Sequence, residues 1–203
     1  MSANLEHHSD TAPIILGAGG HALTVVDQLR FMGINVRAII DPKPKKFLDM
    51  EHFGNLNLLP SEYLNHPFLV CIGDIATRKR VFEETLARIK NPYLFIAENS
   101  YVSKDAVIGN GSQILMASVI ETKVKIGSNT IINVGASVHH ESSIGSHSNI
   151  SPGVRVLGGV QMGNEVLVGS NSVIFPGIRI GDNVKIGAGL VIRHDIDSNA
   201  TMR

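Results

Sequence analysis

From Ile96 to Ile192 an aliphatic residue returns every sixth position without a break. The series runs Ile96, Val102, Ile108, Ile114, Ile120, Ile126, Ile132, Val138, Ile144, Ile150, Val156, Met162, Val168, Ile174, Ile180, Ile186 and Ile192. The residue four places after each is small or aliphatic, from Ser100 and Ala106 through Val124, Ala136 and Val154 to Val184 and Leu190. Helices repeat near 3.6 residues and ordinary strands near two, so neither explains a strict period of six. A strict short period predicts a solenoid in which each repeat buries its apolar residue against the repeat stacked on it. Glycine often follows the aliphatic residue (Gly109, Gly127, Gly145, Gly163, Gly169, Gly181, Gly187). There it is expected to form a corner, where the chain turns at little steric cost.

The first half carries a different pattern. Residues 1–12 are polar and read as a disordered lead. Pro13-Ile14-Ile15-Leu16 is a short apolar strand, followed by Gly17-Ala18-Gly19-Gly20-His21. Apolar residues at 22, 25, 26, 29 and 32 then keep helical spacing, and Gly33 stops that helix. Val36 to Ile40 form a second strand ending at Asp41, which Pro42 and Pro44 break. Residues 45–67 read as irregular. Phe68 to Ile72 form a third strand ending in Gly73-Asp74, and Ala76 to Lys90 a second helix. This order predicts a small open parallel sheet of α/β type. The expected layout is a lead over 1–12, an α/β domain over 13–95, a solenoid over 96–195 and a tail over 196–203.

Composition narrows the function classes. Eighteen Lys and Arg balance eighteen Asp and Glu, giving a formal net charge of zero. Without a basic stripe, nucleic acid is not an expected partner. Aromatic residues make up 5% and Trp is absent, which fits a core of thin stacked branched side chains. Cys71 is the only cysteine and sits in an apolar run, so it reads as a core residue in a reducing, cytoplasmic setting. The N-terminus has no apolar signal region, and no run of about 18 apolar residues predicts a membrane span.

The glycine-rich turn between strand and helix is a place for a phosphate, because backbone N–H groups and the helix dipole favour an anion there. No third glycine stands at the dinucleotide spacing. The turn, Asp41 and Gly73-Asp74 all end strands, the side on which open α/β sheets bind ligands. A mononucleotide fits this half-domain better than a dinucleotide; a tight turn without a ligand is the plain alternative. On the solenoid, His139 and His140 hold the second and third positions of the hexapeptide that begins at Val138, neither of them inward. A solvent-facing imidazole can act as a general base. Imidazole titrates near neutrality, and Glu141 follows at once to fix the ring. If the coil takes three hexapeptides, as a resemblance to the hexapeptide-repeat acyltransferases implies, Gly158 would lie one coil above His140, offering an N–H to a thioester carbonyl. His139, His140 and His147 could instead suggest zinc, but they cluster within nine residues with no cysteine nearby, and no metal is expected.

The six-residue pattern resembles the hexapeptide-repeat acyltransferases, whose left-handed parallel β-helix takes three hexapeptides per triangular coil. The handedness comes from that resemblance. The whole chain, from Ile14 to Asp195, resembles bacterial sugar acetyltransferases of the sialic acid O-acetyltransferase and bacillosamine- or perosamine N-acetyltransferase type. The residues carrying this are Gly17-Ala18-Gly19-Gly20-His21, Ile39-Ile40-Asp41, Ile72-Gly73-Asp74 with Arg78, and Ala136-Ser137-Val138-His139-His140-Glu141. The resemblance implies a Rossmann-like first domain that holds a nucleotide sugar through Gly19, Gly20, His21, Asp41, Gly73 and Asp74. It implies His140 as general base, oriented by Glu141. It places acetyl-CoA between subunits of a homotrimer, against Gly158, Gly159, Asn149, Gly187 and Ala188. Asn149 stands where some relatives have a second histidine. The family often closes with Gly-Asn-Pro-Ala-Lys, where this sequence has Ala200-Thr201-Met202-Arg203, so a less enclosed CoA adenine is expected. The expected reaction is N-acetylation of a nucleotide-linked amino-dideoxy sugar for surface glycans. O-acetylation of a sialic-acid-like sugar and a non-catalytic nucleotide-sugar scaffold are the alternatives.

Overall fold

The computed structural model describes residues 12–43 and 50–203. Most of the expected lead, with His7 and His8, and Pro44 lie outside the described residues. The chain divides into two compact units between Leu94 and Phe95.

In the first unit, strands β1 (Ile14–Leu16), β2 (Ala38–Ile40), β3 (His52–Phe53) and β4 (Phe68–Val70) form one parallel sheet in the order β3-β2-β1-β4. Every residue of β1, β2 and β4 is buried, as expected for strands covered on both faces. Helices α1 (Gly20–Phe31) and α2 (Ile75–Leu86) follow β1 and β4. The 45–67 stretch is not wholly irregular. It supplies β3 as an edge strand and two 3₁₀ turns, Leu56–Leu58 and Ser61–Asn65. Two paired residues leave no periodicity in a sequence. The register sets Ile14 beside Ala38 and Phe68, so the loops after β1, β2 and β4 open on one edge of the sheet.

The second unit is a three-walled parallel β-helix. Wall one stacks two-residue strands from Phe95–Ile96 and Gln113–Ile114 up to Lys185–Ile186 and Thr201–Met202. Wall two runs from Tyr101–Val102 through Ser137–Val138 to Val191–Ile192, and wall three from Val107–Ile108 through Ser143–Ile144 to Arg179–Ile180. Partners are 18 residues apart, as in Lys125 with Ser143 and Ser143 with Gln161. Three hexapeptides therefore make one coil. The repeating aliphatic residues form one continuous core. The segment expected as a tail is paired instead: Ile196 bridges Ile180 and Thr201 pairs with Lys185, closing a shortened last coil.

Two details explain the small residues of the repeat. Buried hydroxyls bolt coil to coil. Thr130 Oγ1 donates to the Gly145 carbonyl (2.9 Å), and Ser112 Oγ accepts from the Thr130 amide (3.0 Å). The buried Ser112 and Thr130 hydroxyls are thereby satisfied. The glycines after the aliphatic residue are not corners. A Cβ on Gly109 would come within 2.5 Å of Ser128 N, and one on Gly169 within 2.5 Å of Ala188 N. They are glycine because the next coil's backbone passes there. The left-handed turn falls at the fourth position of each hexapeptide, as at Gly135, Gly159, Lys123 and Glu141.

Candidate functional site

His140 stands on the corner where wall two turns into wall three. Its imidazole lies against the backbone of the coil above: a Cβ added to Gly158 would sit 2.6 Å from His140 Cε1 and 2.7 Å from Nε2. The ring fills the space a side chain at 158 would need. Glu141 occupies the left-handed turn at φ 60°. Its Oε2 is 3.4 Å from His140 Nδ1, and its Oε1 is 3.9 Å from Lys123 Nζ. Among the described residues the Gly158 N–H has no protein acceptor. The corner therefore combines an imidazole with an open Nε2, a carboxylate on the other ring nitrogen, and, in the residue stacked on the ring, a backbone donor without a protein acceptor among the described residues. That set can accept a proton and stabilise an oxyanion.

His139 differs. Its Nδ1 is 3.1 Å from Glu121 Oε1 and its Nε2 is 3.1 Å from Ser137 Oγ. Both ring nitrogens are engaged, which leaves His140 as the candidate base. Glu121 was not singled out from sequence, nor were Lys123, Lys125 and Gln161. A shallow groove of about 350 Å³ beside Glu141 is lined by Lys123, Lys125, Glu141, Ser142, Ser143 and Gln161. It lies on wall three, next to the His140 corner.

Other expected residues fall elsewhere. Gly159 takes the left-handed turn (φ 71°) and its N–H donates to the His140 carbonyl at 2.9 Å. Asn149 lies on wall one, opposite the His140 corner. Gly187 donates to the Met202 carbonyl, and with Ala188 stands on the corner between walls one and two. A single chain does not bring these three to His140. His147 turns the corner between walls three and one (φ 61°) and meets Asn129 Nδ2 at 2.9 Å.

In the first unit the expected residues do gather at one sheet edge. Gly17 follows β1 at φ 105°, where a Cβ would meet Ile72 Cγ1 at 2.8 Å. Gly19 precedes α1, and a Cβ on Gly19 or Gly20 would meet open space. Both glycines are exposed at the N-terminus of α1, with His21 in the first helical turn. Asp41 Oδ2 accepts from the Ala18 N–H at 2.8 Å and Oδ1 from the Lys43 N–H at 2.8 Å. It shapes the glycine loop. Asp74 caps α2, accepting from the Thr77 N–H at 2.9 Å. A Cβ on Gly73 would meet open space. Arg78 is fully buried and donates to the Ile72 and Gly73 carbonyls at 3.0 and 3.1 Å. Burial pushes its guanidinium down to about 10, with Asp74 and Cys71 acting the other way. Burial also pushes the Cys71 thiol well up, which fits a core residue.

Residues 14–85 match the PglD N-terminal domain, and residues 159–193 match the hexapeptide repeat of succinyl-transferase. No curated protein matches the chain. Among solved structures, a variant of perosamine N-acetyltransferase from Caulobacter crescentus in complex with CoA and GDP-perosamine is similar. Its TM-score is 0.88 at 27% identity, over 94% of this chain and 92% of that one. The acetyltransferase domain of PglB from Neisseria gonorrhoeae FA1090, in complex with acetyl coenzyme A, has a TM-score of 0.86 at 25% identity. That match covers 94% of this chain and 95% of that one. WeeI from Acinetobacter baumannii AYE shares the fold, with a TM-score of 0.82 at 19% identity over 94% and 95% of the two chains. A first domain that matches the PglD N-terminal domain is thus joined to a parallel β-helix that matches the hexapeptide repeat, and over nearly its whole length the chain is similar to solved sugar acetyltransferases of this build.

Proposed function

We propose that the protein transfers an acetyl group from acetyl-CoA to the amine of a nucleotide-linked amino sugar. The observation that carries this is the contact of the His140 ring with Gly158, whose N–H has no acceptor among the described residues. Acetyl-CoA supplies the activated acyl group. Gly158 N–H faces the place where a thioester oxygen would gain charge. His140 Nε2 removes the amine's proton as the acceptor nitrogen attacks, and the proton can then pass to the departing thiolate. Glu141 holds Nδ1 and favours the charged ring that results.

The first domain binds and does not react. Gly19, Gly20 and His21 form an anion cradle at the start of α1, and Asp41 holds its shape. The similar proteins from Caulobacter and Neisseria were solved with CoA and GDP-perosamine and with acetyl coenzyme A, respectively, which supports the choice of these two substrate classes. The active unit we propose is a cytoplasmic homotrimer acting in surface-glycan assembly. The outward column of wall two, with Tyr101, Val119 and Val191 exposed, suits burial against a second copy. Asn149 could then reach a neighbour's His140.

The test is a screen of nucleotide amino sugars, GDP-perosamine included, for acceptor-dependent release of CoA, with mass spectrometry of the product. An N-acetylated sugar nucleotide is expected. An O-acetyl product would replace the acceptor, and binding without thioester cleavage would reduce the protein to a scaffold. Light scattering should give three times the chain mass of 21.8 kDa.

A further inference from the structure

The third position of each hexapeptide has an amide that the inter-coil ladder does not use. On the corner between walls three and one, the coil above supplies its partner. Ser128 N–H donates to Ser146 Oγ (3.1 Å), Ser146 N–H to Asn164 Oδ1 (2.9 Å), Asn164 N–H to Asp182 Oδ1 (2.6 Å) and Asp182 N–H to Ser198 Oγ (3.0 Å). The rule is a side chain reaching down one coil.

At the His140 corner that rule fails. The residue above His140 is Gly158, which has no side chain, and any Cβ there would strike the ring. The residue above Gly158 is Pro176, which offers no acceptor and leaves the Gly158 N–H open. The His140 amide is instead held from below: it donates to Glu121 Oε2 at 2.9 Å. The other oxygen of the same carboxylate is 3.1 Å from His139 Nδ1. Glu121 is half-buried, and it takes up the His140 peptide donor and the neighbouring His139 imidazole.

We propose that Glu121 is a positioning residue for the acetyl-transfer site: its carboxylate holds the His140 peptide from the coil below, in place of the side chain that Gly158 lacks, and keeps His139 turned away from the reaction. This rests on His140 as the base. Removing the carboxylate frees the His140 peptide, and the imidazole loses its fixed approach to Gly158. Misplacement near 1 Å lowers rate by roughly a hundredfold, so Glu121→Ala is expected to lower kcat by about ten- to a hundredfold while both KM values hold. Glu121→Gln should restore most of it, because the amide oxygen accepts from His140 and the NH₂ can donate to His139 Nδ1.

The experiment combines two readouts on the full chain. One is backbone amide exchange at His140 and Gly158. The other is kcat and KM with acetyl-CoA and the sugar nucleotide turned over in the screen. In wild type the His140 amide should be protected and the Gly158 amide fast. Glu121→Ala should speed His140 exchange by about tenfold, the scale of a lost cap, and Glu121→Gln should restore protection. His139→Ala should stay within about twofold of wild-type kcat, as for a surface change. Unchanged exchange in Glu121→Ala overturns the proposal, whatever the reaction proves to be. So does a loss of kcat reproduced in full by His139→Ala, since the effect would then run through that ring. Full activity in His140→Ala overturns the reading of the base itself, and the exchange data would separate the two failures.

Discussion

Gly158→Ala is the sharpest perturbation the site allows. The added Cβ would lie 2.6 Å from His140 Cε1, 2.7 Å from Nε2 and 3.2 Å from Nδ1. Carbon atoms in contact settle at about 3.5–4.0 Å, so the ring must retreat by about 1 Å. A displacement of that size from productive geometry costs on the order of a hundredfold in rate. Stability should hardly change. What is struck is the end of an exposed side chain, free to move, and Gly158 is not in the left-handed region. A glycine replaced by alanine at a compatible backbone gains about 0.4–1 kcal/mol from the unfolded state. The assay pairs steady-state kcat with a thermal melt, with Gly169→Ala as the contrast. At Gly169 the new Cβ would meet Ala188 N and Gly187 C, both at 2.5 Å, and this backbone cannot step aside. Gly169→Ala should lose melting temperature; Gly158→Ala should lose kcat with its melt intact. A Gly158→Ala enzyme with more than half the wild-type kcat would refute the placement of His140, and one that unfolds would refute the claim that only the ring is in the way.

Other outcomes follow from the same geometry. His140→Ala should lower kcat by roughly two to four orders of magnitude, the span of a general base, with the melt unchanged because the side chain is largely exposed; a steady-state assay checks it. Asp41→Ala removes the acceptor of the Ala18 and Lys43 amides, so KM for the sugar nucleotide should rise while KM for acetyl-CoA and kcat hold. If kcat collapses at saturating substrate, the division of labour between the domains is wrong. Ile150→Ala, fully buried and stacked between Ile132 and Val168, should cost about 2–5 kcal/mol in a denaturant titration. Cys71 should resist thiol reagents at neutral pH until the first domain unfolds, since burial raises its thiol well above the ordinary range and only the thiolate reacts; fast labelling of the native protein would contradict this.

The period of six fixed the coil, because an inward residue cannot be changed without opening the core it shares with the coils above and below. With the three-hexapeptide coil that the family resemblance implied, Gly158 could be placed over His140, and the structure pairs residues 18 apart. The strand ends that gather Gly17, Asp41 and Gly73 were legible in the same way, through short apolar runs bounded by glycine and aspartate. Other features depend on contacts that leave no periodic mark. The glycines at the second position look like corners in sequence, yet they answer to the backbone of the next coil. The real corners accept Lys123, Glu141 and Glu165 in left-handed geometry, residue types that give no local signal. Asp41 stands out in sequence as a strand-end carboxylate, and only the fold shows that it also holds the Ala18 amide. His139 and His140 are adjacent and alike in sequence. Only the fold separates them, by closing Glu121 and Ser137 around one ring and leaving the other against a bare glycine. Sequence spacing sets which backbone positions stack, while side-chain hydrogen bonds across coils decide which of those positions remain free to react.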